Sequence, residues 1–371
     1  MNDRITMLLT NGFDPDIRVY KEALYLVGQG FSVTILCWDR ESCFDYPSYE
    51  VTDGIEIVRF RHIAEVGTGQ KQLPAFAAYI RDCRGYLRAH PCDYYHCNDI
   101  DGAITWYLAR HDRKTPMVFD MHELYEDVGE GHPVKQRIWR WLSIFMIRRS
   151  VAALYENDFY LSRPYRSVRN KLLPLKNYPD SSLLRPLPKT ESPVFRIGYH
   201  GGVREQIPEF TTLFEAVRDM EDVRVDIHGG GPDLPELLEL EKRYRNVHVH
   251  GPFNGATELT GLYAEADIVY AGYRPYSATR EYAEVVKFFE CILTGTPIIL
   301  TEAYTGMADR IRRYGFGLVC DTMEVEAVRA AVLKLKDDLA FRRQCAENER
   351  AQAWRYDWKE AVKILDQVYK R

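Results

Sequence analysis

Three stretches in the second half of the chain combine glycine with arginine where strands are expected to end. Ile197-Gly198-Tyr199-His200-Gly201-Gly202-Val203-Arg204 runs an apolar strand pattern into a glycine pair and a cation, ahead of a helix expected near Pro208. His228-Gly229-Gly230-Gly231-Pro232 is a second such exit, and Gly272-Tyr273-Arg274-Pro275-Tyr276-Ser277-Ala278-Thr279-Arg280 is a third. Glycine lets a backbone come close to a bulky anion, and a helix N-terminus beside an arginine supplies positive potential. Each turn alone is equally the tight connection that any α/β fold needs. Three of them, with Arg204, Arg274 and Arg280, favour a phosphate site. The third leads into a helix expected over 281–293, on which Glu284, Lys287 and Glu290 share one side opposite Val285, Val286, Phe288, Phe289, Ile292 and Leu293. That polar side reads either as a solvated stripe of helical ion pairs or as Lys287 facing a phosphate and Glu290 a ribose hydroxyl.

The first half offers imidazoles and carboxylates. His96-Cys97-Asn98-Asp99 and Asp120-Met121-His122-Glu123 each follow a strand pattern, a placement that suits sugar-hydroxyl recognition or proton transfer. His248 and His250 alternate on a strand beside His228; a zinc site there lacks a nearby acid or thiol set. The first βα turn, Asn11-Gly12-Phe13-Asp14-Pro15-Asp16, has no GxGxxG pattern, and its carboxylates would repel a pyrophosphate, which disfavours a dinucleotide cofactor.

Alternating strand and helix patterns must position these groups. Strands are expected at 6–10, 32–38, 55–60, 93–96, 117–120 and 151–155, and again at 195–199, 223–228, 247–250, 267–271, 297–301 and 317–320. The first helix carries an apolar stripe of Ile17, Tyr20, Leu24 and Val27, started by Asp14-Pro15 and stopped by Gly28 and Gly30. Nearly continuous apolar strands separated by helices mean parallel sheets covered on both faces. Five prolines between 174 and 193 mark a linker. The expected architecture is therefore α/β with two doubly wound domains, and ligands beyond the C-terminal strand ends.

Composition bounds the reading. With 46% hydrophobic and 28% charged residues among 371, the chain is neither disordered nor fibrous, and a net charge of −5 leaves no basic field for nucleic acid. The N-terminal segment reads as a first core strand and not a signal peptide. Eight cysteines without a CxxC pair suit reduced thiols in a cytoplasmic setting. From 131 to 155 there is no acidic residue, while Lys135, Arg137, Arg140, Arg148 and Arg149 interleave with Trp139, Trp141, Phe145 and Met146. That helix is either interfacial, giving peripheral contact at the inner membrane face through 135–149, or packed with its arginines reaching to water.

Several runs occur together in a telling order: Asp16-Ile17-Arg18, His96 to Asp99, Asp120 to Glu123, Lys176-Asn177-Tyr178-Pro179, Gly201 to Arg204, Gly229 to Pro232, Gly251-Pro252, Lys287-Phe288-Phe289-Glu290 with Gly295-Thr296-Pro297, and Tyr356-Asp357-Trp358. In these the chain resembles the retaining GT-B glycosyltransferases of family 4, over essentially its whole length. The resemblance implies two Rossmann-like domains facing a central cleft: an acceptor domain over 1–175, a linker over 176–193, a donor domain over 194–355, and a C-terminal helix over 356–371 crossing back to the first domain. It implies a nucleotide-sugar donor, a glycan, lipid-linked or small-molecule acceptor, transfer with retention, and neither cofactor nor metal. By that analogy His122, Arg204 and Lys287 are catalytic, with the two cations neutralising the leaving diphosphate and His122 contacting the donor sugar. Gly201, Gly202, His228, Gly230, Pro252, Phe253, Tyr276, Ser277, Arg280 and Glu290 would bind donor, with Glu290 on the ribose. Asp16, His96, Asn98 and Glu123 would lie on the acceptor side.

The chain departs from the family pattern at Tyr282, in place of the first of two glutamates, at Ile207, in place of a second basic residue, and at Asn98, in place of a second histidine. These departures keep open a degenerate homologue that binds a nucleotide sugar or a partner transferase. A nucleotide-sugar epimerase or hydrolase on the same fold is a further alternative.

Overall fold

The β-branched and aromatic runs form two sheets, one wholly parallel and one parallel but for an edge strand, each flanked by the amphipathic intervals as helices. The structure is a computed structural model that describes every residue except 1, 14–15, 42–45, 66–67, 111, 113, 127–131, 191, 256, 274–281, 283 and 370–371. The chain forms two units, Met1–Lys176 with Val362–Arg371, and Asn177–Ala361.

In the first unit the elements run β1 (Arg4–Leu9), α1 (Ile17–Gly28), β2 (Ser32–Asp39), β3 (Tyr49–Thr52), β4 (Ile55–Arg61), α2 (Leu73–Ala89), β5 (Tyr94–Asn98), α3 (Asp99–Ala109), β6 (Met117–Met121), α4 (Pro133–Arg149), β7 (Ala152–Tyr155) and β8 (Leu172–Pro174). Their sheet order is β3-β4-β2-β1-β5-β6-β7-β8. The order reverses at β1, so the C-terminal ends of β1 and β5 border the crevice where such sheets bind ligands. Two strands were not expected. β3 is an antiparallel edge strand joined to β4 through Asp53 and Gly54, both at positive φ (51° and 80°), which a tight two-residue hairpin requires. β8 is only three residues long and ends in proline.

Helix α1 overturns the expected stripe. Ile17 is exposed, while Arg18, Val19, Lys21, Glu22, Ala23 and Leu26 are buried, so the helix buries three charged residues, Arg18 and Glu22 among them. Amphipathic patterning fails here because Arg18 and Glu22 are neighbours one turn apart, facing a buried carboxylate on β6.

The second unit contains β9 (Phe195–His200), α5 (Ile207–Val217), β10 (Val223–His228), α6 (Leu234–Glu241), β11 (Val247–Gly251), α7 (Leu259–Glu265), β12 (Ile268–Ala271), α8 (Val286–Thr294), β13 (Ile298–Thr301), α9 (Thr305–Tyr314), β14 (Gly317–Cys320), α10 (Val325–Asp337), α11 (Leu339–Gln352) and α12 (Trp358–Ala361). The all-parallel order β11-β10-β9-β12-β13-β14 reverses at β9. One face is packed by Phe210, Leu213 and Phe214 of α5 and the other by Phe288, Phe289 and Ile292 of α8.

The helix expected over 281–293 begins at Val286; residues 281 and 283 lie outside the described residues, and Glu284 precedes the helix and pairs with Arg310 at 2.6 Å. The proline-rich stretch expected to be a linker is instead packed on the second unit. Leu184 is core, Tyr178 lies on Phe289 at 4.7 Å, and the Lys189 ammonium donates to Tyr263 O, Ala266 O and Thr296 Oγ1. The closing segment is not one helix. α12, where the Trp358 amide donates to Pro179 O, belongs to the second unit; α13 (Leu365–Val368) belongs to the first.

Candidate functional site

In the second unit the strand exits are knitted together by backbone hydrogen bonds. Gly201 N–H donates to His228 O, Val203 N–H to Gly230 O, and Gly229 N–H to Gly251 O. The approach is so close that a Cβ on Gly229 would lie 1.8 Å from Gly201 O, so no larger residue fits. Lys287 rises from the first turn of α8 into this cradle. Of the two readings of its helix side, the solvated stripe does not hold: Lys287 is 5% exposed, because α8 is buried on nearly all sides. Its ammonium donates to His200 O at 2.5 Å and lies 3.9 Å from the centre of the Tyr199 ring. A Cβ on Gly201, whose φ is 147°, would meet that nitrogen at 2.8 Å. The arrangement gives a buried cation at a glycine turn, the chemistry a diphosphate needs.

Neighbouring groups extend the cradle. Arg204 is exposed on the loop before α5. Gln206, which sequence reasoning missed, holds that loop: it accepts from Tyr199 Oη at 2.6 Å and donates to Gly272 O at 3.0 Å. Ile207 opens α5 and packs against the apolar core, so no second cation stands at that position. Glu290 accepts from Tyr263 Oη at 2.8 Å. Pro252 lies against Gly230, and Phe253 meets the edge of the His228 ring at 6.5 Å. Tyr276, Ser277 and Arg280, with Arg274, lie outside the described residues.

The histidines of this unit do not converge on a point. His228 and His250 stack face to face, 4.2 Å between centroids, and His250 Nε2 is 2.8 Å from Asp226 Oδ1. Beneath the cradle neither ring nitrogen of His200 has a hydrogen-bond partner among the described residues. Burial, reinforced by the Lys287 ammonium and by His228, holds the His200 imidazole well below its usual value of 6.5. Because the folded value is depressed, this neutral ring withdraws stability as pH falls below about 6.5, where the unfolded chain takes up a proton that the fold refuses. The melting temperature should therefore drop from pH 7 to pH 5, and His200→Leu should flatten that slope in scanning fluorimetry. Equal slopes in the two proteins would acquit His200.

In the first unit the charges turned inward by α1 meet those at the ends of β5 and β6. Arg18 donates to Asp120 twice, Nη2 to Oδ1 at 2.7 Å and Nε to Oδ2 at 3.0 Å, and to Leu175 O at 3.1 Å. Its Nε is 3.2 Å from Glu22 Oε1. His122 Nε2 is 2.7 Å from Asp120 Oδ2, and the His122 backbone N–H donates to Asp99 Oδ1 at 3.1 Å. Asp99 itself sits at φ 61°, a strained setting that presents its carboxylate to His122. Burial works against both charges of the His122–Asp120 pair but is outweighed. Arg18 and His122 hold Asp120 well below the usual carboxylate range, and Asp120 and Asp99 lift His122 to about 10. His122 is thus an imidazolium at neutral pH, with a side chain 13% exposed.

The other first-unit candidates divide. Asp16 caps α1 through Val19 N–H, and Glu123 is exposed. His96 and Asn98, expected to face an acceptor, are both 0% exposed, with Asn98 donating to Leu8 O at 3.2 Å. Each lies on the inward side of β5, so neither is reachable by an acceptor. Glu22, His96 and Asp120 form the one group of three potential ligands among the described residues, with atoms within 4.8 Å of one another. The Arg18 guanidinium already stands against both carboxylates.

The family model for the glycosyl transferase 4-like domain matches residues 16–157, the span that holds Arg18, His96, Asp120 and His122. That match covers less than half of the chain. The chain as a whole has the GT-B fold, with one Rossmann-like sheet in each unit. Sucrose-phosphate synthase from Thermosynechococcus elongatus is similar at a TM-score of 0.76 and 14% identity, over 99% of this chain and 98% of that one. Anabaena HepE in complex with UDP and glucose is similar at 0.69 and 15%, over 98% of each chain. WaaG, a glycosyltransferase involved in lipopolysaccharide biosynthesis, is similar at 0.64 and 15%, over 97% of this chain and 99% of that one. No curated protein matches the sequence. Within the matched span, sequence reasoning named His122 but missed the inward roles of Arg18 and Glu22. Their spacing of four on α1, opposite the apparent apolar stripe, was the available signal.

Proposed function

We propose that the protein is a glycosyltransferase that moves a sugar from a nucleoside-diphosphate sugar to a glycan, lipid-linked or small-molecule acceptor, with retention of configuration and without a metal ion. The observation that carries the reading is the Lys287 ammonium, buried at Gly201 among glycine turns that come within contact of one another. HepE, of the same fold, binds UDP and glucose at 15% identity, which makes UDP-glucose the first donor to try. Arg204 and Lys287 would take up the charge of the leaving diphosphate, Glu290 the ribose, and His122 the sugar.

The test is thermal stabilisation by UDP-, GDP-, ADP-, CDP- and TDP-sugars, with and without EDTA. A ligand at a hundredfold its dissociation constant contributes roughly 2.7 kcal/mol, readily visible as a melting shift. A selective shift that persists in EDTA is the expected result. No shift with any nucleotide would favour the degenerate, partner-dependent reading, to which Ile207 already points by leaving one cation fewer. Product anomer analysis by NMR then reads retention directly.

The acceptor is best sought at an anionic membrane. On α4, Val134, Ile138 and Trp141 are 66%, 56% and 63% exposed and share one side, with Lys135, Arg137 and Arg148 exposed around them. The opposite side is anchored by Ser143, Met146 and Ile147, while Arg140 pairs with Glu126. Exposed apolar groups ringed by cations match a lipid surface carrying negative charge. No helix among the described residues is long and apolar enough to cross a membrane. Co-sedimentation with phosphatidylglycerol vesicles should fall as salt rises and weaken in Trp141→Ser. Absence of binding at every salt concentration would leave α4 a packed helix.

A further inference from the structure

The buried charges around His122 do not end at Arg18. Glu22 Oε2 lies 3.2 Å from His96 Nε2, and His96 Nδ1 lies 2.6 Å from the hydroxyl of Tyr369. Tyr369 belongs to the segment after α13 and is 4% exposed, its ring set edge-on against Tyr94 at 5.1 Å and Phe31 at 5.9 Å. The segment is pinned nearby, where Tyr25 Oη donates to Asp366 Oδ1 at 2.8 Å. A line of polar contacts therefore runs from Tyr369 through His96, Glu22, Arg18 and Asp120 to His122, hydrogen-bonded at its two ends and joined through Glu22 by ion-pair contacts alone, and every side chain before His122 in that line is at least nine-tenths buried.

We propose that Tyr369 and His96 are positioning residues for His122, so that docking of residues 362–369 sets the orientation of the imidazole that meets the donor sugar. The inference rests on the glycosyltransferase reading of His122. The physical argument is one of alternatives. In a dry interior a carboxylate adopts the position its partners dictate. Glu22 is attracted by Arg18 and His96 and repelled by the nearby Asp120 carboxylate. With the His96 ring fixed from behind by a hydroxyl, Glu22 holds the Arg18 fork, and the fork holds both oxygens of Asp120. Without that hydroxyl the His96 ring loses the partner of its Nδ1, its hold on Glu22 loosens, and Arg18 has a choice between two carboxylates. His122 is faced by Asp120 from β6, Asp99 from α3, Arg18 from α1 and the adjacent Glu123. Of these, Asp120 and Arg18 are the two that the line from Tyr369 reaches.

Tyr369→Phe removes one oxygen and keeps the ring packing, so the first unit should fold. Histidine side-chain NMR on the full chain, with His122 assigned through His122→Gln, should show the His122 titration lowered by about one pH unit or more. Turnover of UDP-glucose, or of whichever donor the thermal panel selects, should fall about tenfold in kcat with donor KM within twofold. His96→Asn, which loses the contact to Glu22, should behave likewise. An unchanged His122 titration and kcat, with only a lower melting temperature, would make Tyr369 merely structural and overturn the proposal. Full turnover in His122→Gln would instead overturn the reading of His122, while the NMR titration would still decide whether Tyr369 reaches it.

Discussion

Arg18→Ala is expected to remove roughly 3–5 kcal/mol from the first unit, the usual loss when one partner of a buried ion pair is deleted. The residue is 5% exposed, and it leaves behind Asp120 and Glu22, both 0% exposed. Asp120 would keep His122 at 2.7 Å, but Glu22 would face only the His96 ring, and burial with the neighbouring Asp120 already raises its pKa. For a unit of this size each kcal/mol corresponds to about 2–4 °C, so the first unit should melt roughly 6–20 °C earlier. Removing the stranded charges together, as in Arg18→Met with Glu22→Gln and Asp120→Asn, should recover much of the loss, because an uncharged interior has no unpaired ion to desolvate. A single variant within about 1 kcal/mol of the parent would mean that the guanidinium is not what keeps these carboxylates inside.

Lys287→Ala and Gly201→Ala should fail in the same way by different routes. The first deletes the ammonium; the second places a methyl group 2.8 Å from it and must push it off its seat. A hydrogen bond to a charged group is worth about 1.5–3 kcal/mol, so nucleoside diphosphate affinity should fall roughly 10- to 150-fold in calorimetric titration. Lys287→Ala should also cost stability, since His200 O loses its donor inside the fold. If both variants bind within twofold of the parent while melting earlier, the ammonium is a prop for the His200 turn and meets no ligand.

The architecture was legible because period and punctuation agree. Ile35, Phe119 and Ile299 sit in strands whose two faces are both covered, so their runs read as parallel sheet. Positions that need glycine were legible too, since Gly201, Gly229 and Gly231 follow strand patterns directly. What escaped is instructive. Asp53-Gly54 was a readable hairpin signal for the β3 edge and went unused. The sequence could not decide between a solvated and a ligand-facing Lys287, because angular separation on a helix says which residues share a side but not which sides are covered, and α8 is covered almost everywhere. Arg18 and Glu22 violate the rule that charges face water, and only Asp120, 102 residues beyond Arg18, makes that violation affordable. The Tyr369–His96 contact spans 273 residues and leaves no local trace at all.

The division of the chain carries a consequence for its biosynthesis. The first unit is discontinuous: residues 362–369 are translated only after the whole of Asn177–Ala361. At translation rates of about 5–20 residues per second, the nascent Met1–Lys176 waits roughly 10–40 s for the piece that brings Tyr369. During that interval the rings of Phe31 and Tyr94 lack their aromatic neighbour and the His96 imidazole lacks its hydroxyl partner. A ribosome stalled within the second unit would therefore display a first unit with its buried charges only partly fastened, a state open to chaperone capture that closes once residues 362–369 emerge and dock.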